Sequence, residues 1–274
     1  MTTSFRNSII IGLFLQLVLS VEGEAPSVNL SQAAWLKAVE VQRCGQRDFS
    51  VLANYDPKLL REYFRQYPAL DEAPDLLWKV KGLTLFGDPS DQAILEKSVQ
   101  RLKTASSHDN IDMGLFDHAI MARHGDKKAT EAVVAVASNC GHTLQRFACQ
   151  ILWRYRDRTG LDKLSELASD RRLPATCRLN ILEWLCAAGD QRCLEIALSD
   201  NLISALNQDG QLQSIGVFLA HFTGQIELRS LSSPQEIREY VRNTGCIIGS
   251  VAKRYSVSGG IDWTKVKWDE LRSK

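Results

Sequence analysis

Seven cysteines, five histidines and a run of arginines are the residues whose types and spacing bear most directly on chemistry in this chain. The histidines are His108, His118, His124, His142 and His221. No two stand at the i, i+3 or i, i+4 spacing that puts two imidazoles on one helix face, so a helical metal site is not expected. The cysteines are Cys44, Cys140, Cys149, Cys177, Cys186, Cys193 and Cys246, without the paired CxxC units of a zinc site. Cys140-Gly141-His142 sets a thiol two residues from an imidazole. Nucleophilic catalysis there needs the base aimed at the sulfur and a donor for the oxyanion, and the sequence identifies neither. The leading expectation therefore assigns no catalytic residue, metal or cofactor. A lyase or thiol-dependent enzyme centred on Cys140 and His142 is the alternative.

Disulfide chemistry has more support. Cys186 and Cys193 flank the Gly189-Asp190 dipeptide with six residues between them. Across a tight helix hairpin their side chains can reach bridging distance, and a bond closing so short a loop contributes about 2–3 kcal/mol. Cys140 with Cys149, and Cys149 with Cys177, are further candidate pairs. An odd count leaves at least one cysteine free or intermolecular. Several of the cysteines also read as small buried apolar residues.

Charge supplies the candidate binding site. The chain as a whole carries a formal +1, which gives no general field for nucleic acid or an anionic membrane. From Arg146 to Arg178, however, eight basic residues face four acids. Arg154, Tyr155, Arg156 and Arg158 crowd one helix end, and Arg171 and Arg172 lie in the following turn. This group reads as a patch for an anionic partner such as an acidic peptide, with a solvated face of ion pairs as the plainer reading.

Residues 9–21 form an apolar run of 13 after Arg6, shorter than the roughly 20 residues a membrane helix needs. With Val21 and Gly23 as small residues at a cleavage site, residues 1–23 read as a secretory signal, with a signal anchor or a buried helix as the alternative. Secretion or export to a periplasm also suits paired cysteines.

The elements that must position these groups are helices. Apolar-periodic segments of 10–15 residues alternate with short polar breaks, and the breaks recur. Gly87-Asp88, Gly125-Asp126 and Gly189-Asp190 each combine a helix-ending glycine with an aspartate suited to cap the next helix. Asp157, and Gly224 with Gln225, hold the same place, at steps of 31–38 residues. A second marker, Ser138-Asn139, Ser169-Asp170 and Ser199-Asp200, recurs at steps of 31 and 30. Two markers at one period indicate a repeat. Phe116, Ile120 and Met121, then Phe147, Ile151 and Leu152, then Ile181, Trp184 and Leu185 supply matching apolar faces on successive first helices. Val133, Val134 and Val136, Leu164 and Leu167, and Leu194, Ile196 and Leu198 do so on the second helices.

The segments Leu144-Gln145-Arg146-Phe147-Ala148 and Thr176-Cys177-Arg178-Leu179-Asn180, each followed by Asp157 or Asp190, resemble HEAT repeats. They are most similar to the short variety of phycobiliprotein lyases and bacterial scaffolds. The resemblance implies an all-α fold, an α-solenoid of stacked antiparallel helix pairs. It matches the family's helix-one arginine and inter-helix aspartate to Arg146 with Asp157 and Arg178 with Asp190. No histidine is followed by glutamate, as the iron-binding HEAT-like hydroxylases require.

The expected organisation is a signal at 1–23, an N-terminal helical cap at 24–72, a repeat array at 73–243 and a C-terminal tail at 244–274. Within the cap, Asn29 with Gln32 is suited to open a helix through Val41, and Asp56-Pro57 another through Tyr67. Asn29-Leu-Ser31 is also a glycosylation sequon. The expected function is an exported scaffold that binds a protein or peptide on its concave face, because this fold implies no activity of its own.

Overall fold

The computed structural model describes residues 27–45, 49–105, 114–142, 144–155, 157–223, 226–230, 233–244 and 254–272. The expected signal at 1–23, His108, Arg156, the Gly224-Gln225 turn and Cys246 lie outside them, as do the side chains of Cys44 and His221. Among the described residues the first element is strand β1 (Ser27–Leu30), followed by α1 (Gln32–Gly45), α2 (Pro57–Gln66), α3 (Ala73–Phe86) and α4 (Gln92–Ala105). It continues through α5 (Gly114–Arg123), α6 (Lys127–Ala137), α7 (Gln145–Trp153), α8 (Thr159–Ser169) and α9 (Ala175–Ala187). Then come α10 (Arg192–Ala197), α11 (Asp200–Gln208), α12 (Leu212–Thr223) and α13 (Pro234–Thr244). Strand β2 (Arg254–Val257) and α14 (Trp268–Arg272) complete it. The described chain is mostly helical.

Capping chemistry sets many of the helix starts. Asp56 accepts the amides of Lys58 and Leu59 at 2.8 and 3.3 Å, and Pro57 follows at the first position of α2. Asp126 takes the Ala129 amide and Asp157 the Thr159 amide, both at 2.8 Å, before α6 and α8. Gly125 and Gly189 adopt φ of 91° and 72°, the left-handed conformation that glycine enters at little cost, so one helix ends where the next aspartate opens another. Gly87 differs, with φ −65°. A side chain is excluded there by the Leu83 carbonyl oxygen, 2.5 Å from where a Cβ would stand. Asn29 does not open α1. It lies in β1, and Ser31 caps the helix by accepting the Ala34 amide at 3.3 Å.

Packing follows the alternation of helices. α5 contacts α6, α6 contacts α7, and the series runs on through α8 and α9. The first helices also touch one another, α3 against α5, α5 against α7 and α7 against α9. Phe116, Phe147, Ile151, Leu152, Ile181, Trp184 and Leu185 are buried along this layer. Met121 is not: it is 39% exposed, because Ile120 faces the interior and the next residue is rotated about 100° away. The period also breaks after Gly189. The expected second helix is only the six-residue α10, and Ser199 caps an additional helix, α11, by accepting the Leu202 amide.

Two further contacts depart from an open array. α3 reaches α7 directly. Phe49 lies 4.7 Å from Trp78 and 6.4 Å from Phe147, and the Arg154 guanidinium sits 4.8 Å from the Phe86 ring centre. The space between these first helices is therefore filled by the protein's own aromatic side chains. The expected tail, moreover, folds back. β2 pairs in parallel with β1 (Ser27 opposite Arg254, Leu30 opposite Val257), and Trp268 packs against Tyr63 and Tyr67 at 5.5 and 5.6 Å.

Beneath this closure lies a buried polar network. The Tyr63 hydroxyl donates to Glu40 at 2.6 Å, and that of Tyr67 to Asp75 at 2.5 Å. Arg43 joins both carboxylates, at 2.6 and 3.2 Å. Each buried acid thus has donors, as a stable buried network requires. Nearby, Lys79 donates to the Tyr67 carbonyl at 2.6 Å, covering the C-terminal end of α2. Burial, together with Arg101 and Lys97, pulls its ammonium down from 10.5 to about 8. Between these values the unfolded chain holds a proton that the folded one has released, so Lys79 adds stability as pH rises through that window. Urea midpoints of wild type and Lys79→Met, compared from pH 7.5 to 10, are expected to diverge in favour of the wild type as pH rises. A constant difference would remove this assignment.

Candidate binding groove

The five described residues of the expected basic patch do not form one surface. Arg154, Tyr155 and Arg158 lie before α8, whereas Arg171 and Arg172 follow it. A helix of 11 residues separates the two groups by roughly 16 Å. Most of these side chains are also engaged within the molecule. Arg154 lies over the rings of Phe86 and Trp153, at 4.8 and 5.6 Å. The Tyr155 hydroxyl shares a hydrogen bond with the Thr130 hydroxyl, and burial raises its pKa. Arg158 is 3.7 Å from the Asp190 carboxylate, which Arg192 holds at 2.6 Å and depresses in pKa. Arg172 grips Asp170 through both Nε and Nη2, and this pairing holds the carboxyl at about 2.

Arg171 is different. Among the described residues it makes no ion pair, and it is exposed. It stands at the edge of an open groove of about 390 Å³, whose other wall is Asp200, Asn201, Ser204, Ala205 and Gln208 of α11. Asp200, Ser204 and Gln208 are spaced i, i+4, i+8, so hydroxyl, amide and carboxylate line one helix face.

Two arginines fix these walls. Arg178, buried in α9, donates to the Ala168 carbonyl and to Asn201 Oδ1, both at 2.7 Å. One guanidinium therefore ties the end of α8 to the floor of the groove. Arg238 of α13 pairs with Asp200 at 2.6 Å and donates to the Leu198 carbonyl at 3.3 Å. Both place a cation at helix-end carbonyls, where the backbone dipole favours it. Of the two arginines matched to the repeat motif, Arg146 binds Glu183 at 2.9 Å, and Arg178 holds Ala168 and Asn201. The α11 wall was not anticipated from sequence. Its readable signal is the Asp200, Ser204, Gln208 stripe after the Ser199 cap.

The sulfur pairing also differs from expectation. The bridge joins Cys140 to Cys177 with Cα atoms 5.6 Å apart, whereas Cys186 and Cys193 are buried, unbridged thiols. The turn before α7 folds back beside the first turn of α9, which brings together two cysteines separated by 37 positions. With Cys140 in this bond and His142 Nδ1 accepting the Leu144 amide at 3.1 Å, the thiol–imidazole pair of the alternative reading is not assembled. A second open cavity, about 580 Å³, lies between Pro68, Leu70 and the docked Val266–Glu270 segment. Among the described residues no group of three His, Cys, Asp or Glu side chains is arranged to hold a metal, and no helix is long and apolar enough to cross a membrane.

Compared with known proteins, the chain matches no family model, no curated protein and no solved structure.

Proposed function

We propose that this protein is an exported helical-repeat scaffold that binds an acidic segment of a protein or peptide partner through the groove between Arg171 and α11. The observation that carries this reading is Arg171 itself, a cation without an ion-pair partner among the described residues, facing a polar helix wall. An extended peptide needs such a wall, because its backbone amides and carbonyls must find donors and acceptors when they leave water. A side-chain carboxylate then meets the guanidinium, the geometry arginine favours.

The repeat reading is supported by the side-by-side contacts of α3, α5, α7 and α9, and by the capping aspartates at the recurrent breaks. On this reading the helix pairs are antiparallel HEAT-like units stacked into a solenoid. On this reading the partner site lies at the edge of the array, beside α11. Export is supported by the apolar run at 9–21 and by a disulfide within the fold.

Short peptides of acidic, neutral and basic composition, titrated against the whole protein by fluorescence anisotropy, provide the test. Acidic peptides are expected to bind best, and Arg171→Ala to weaken them about tenfold or more. Arg172→Ala, whose charge Asp170 already neutralises, is expected to change little. Equal losses from the two substitutions, or no preference for acidic peptides, would sink the proposal.

A further inference from the structure

The Cys140–Cys177 bridge is asymmetric. Cys140 lies in an exposed turn, with Asn139 and Gly141 exposed on either side. Cys177 is 2% exposed, in the first turn of α9, and shares its pocket with the buried Cys149. The Gln145 side-chain amide reaches both of these inner sulfurs, 3.7 Å from Cys149 Sγ and 3.9 Å from Cys177 Sγ, while also donating to the Ala137 carbonyl at 3.1 Å.

This arrangement dictates which sulfur a thiol can attack. Displacement at a disulfide needs the attacking thiolate in line with the bond, opposite the leaving sulfur. With Cys177 inside and Cys140 outside, the line through Cys140 opens to solvent. The line through Cys177 runs into the core. We propose that the Cys140–Cys177 pair is an exchangeable, redox-active disulfide that transfers oxidising equivalents to dithiols of other polypeptides, with Cys140 as the attacked sulfur and Cys177 as the leaving group.

The electron count closes with the partner dithiol alone. A partner thiolate bonds to Cys140 Sγ, the Cys140–Cys177 bond breaks, and Cys177 leaves as a thiolate that takes a proton from solvent. The partner's second thiolate then attacks its own sulfur in the mixed disulfide and releases Cys140. The partner gains a disulfide and the protein becomes a dithiol, reduced by two electrons. Return to the starting state requires an external disulfide oxidant.

Gln145 is the positioning residue. Burial pushes the neighbouring Cys149 thiol up to about 12, so the same pocket disfavours a departing Cys177 thiolate unless a donor meets it. The Gln145 amide is that donor. Nothing here depends on the Arg171 groove, and the test uses no peptide that must bind there.

Oxidised full-length protein is exposed under native conditions to millimolar reduced glutathione, quenched with acid at intervals, and peptide-mapped. Glutathione is expected on Cys140, with a free thiol appearing at Cys177 at the same rate. Gln145→Leu is expected to slow this about tenfold while the adduct stays on Cys140. A short dithiol peptide is expected to accumulate as its disulfide in step with protein dithiol. The proposal is overturned if the adduct forms on Cys177, if the bridge survives until denaturant is added, or if the dithiol peptide is not oxidised. Because the regiochemistry is read on wild-type protein, misfolding of a variant leaves the test intact.

Discussion

Gly160→Ala is expected to lower the thermal midpoint by roughly 4–8 °C, although alanine is the better helix former. Gly160 is in the first turn of α8 and has no left-handed φ. Its role is proximity. A Cβ there would lie 1.8 Å from the Leu152 carbonyl oxygen and 2.8 Å from both the Leu152 carbonyl carbon and Tyr155 Cβ. A flexible side chain can rotate away from such a clash, but a carbonyl oxygen moves only with its backbone, so the α7–α8 turn must shift. Forcing extra atoms into a packed site costs about 1–3 kcal/mol and sometimes more, against at most about 1 kcal/mol gained from helix propensity. Gly125 is the control. It has no atom within 4 Å of a Cβ but a φ of 91°, so Gly125→Ala meets conformational strain alone, on the order of 1–2 kcal/mol. Differential scanning fluorimetry of the two variants separates the causes. An unchanged or raised midpoint for Gly160→Ala would mean that the α7 and α8 backbones are farther apart than described.

The contrast between these two glycines shows what the sequence carried and what it did not. Gly125 sits before a capping aspartate at a recurrent break, and the order helix, glycine, aspartate, helix is local information. Gly160 follows Thr159 and resembles a turn residue, and only the fold shows which backbone atom it admits. The capping residues Asp56, Asp126 and Asp157 were legible for the same local reason. So was the buried face of the first helices, apart from Met121, where a neighbouring position was one step of helix rotation too far.

Contacts made across one period of the chain were harder to read. Cys186 and Cys193 look like a hairpin pair because they are close in sequence, yet Cys140 bonds to Cys177, 37 positions on, since the turn before α7 returns beside the start of α9. The pairing of β1 with β2 was invisible for another reason. Each strand is four residues long, too short for a convincing alternation, and its partner lies more than 220 positions away. For the site, Arg171 was named within a cluster chosen by sequence density of charge. Density says nothing of who neutralises whom. Asp170 and the ring of Phe86 removed Arg172 and Arg154 from that cluster, and α11 supplied a wall that no charge count points to.

A side chain of this cross-period kind, Asp91, is expected to show the second large effect. Its carboxylate is fully buried between the N-terminal cap and the helices that follow. Oδ2 accepts Arg61 Nε at 2.7 Å and the Asp88 amide at 2.9 Å, and Arg65 Nε lies 3.0 Å from Oδ1. Arg61 also pairs with Asp88 at 2.5 Å, so two arginines of α2 hold the turn that connects α3 to α4. Asp91→Ala takes the buried acceptor from the Asp88 amide and from two guanidinium groups, of which Arg61 keeps Asp88 and Arg65 keeps Glu62. Removing one member of a buried ion pair costs about 3–5 kcal/mol. Because Arg61 and Arg65 remain 25% and 34% exposed and can recover some hydration, about 3 kcal/mol is the appropriate expectation here. Asp91→Asn preserves the shape and one oxygen acceptor, so it should cost less, about 1–2 kcal/mol, by weakening the charge-assisted bonds. The order wild type, Asn, Ala in urea midpoints is therefore the diagnostic. High salt separates the contributions further, since screening reaches the partly exposed guanidinium groups more readily than the buried amide bond. If both Ala and Asn proved as stable as wild type, the Asp91 carboxylate would contribute nothing, and the attachment of α2 to the α3–α4 turn would have to rest on the packing of Phe64 against Trp78 and Phe86 instead.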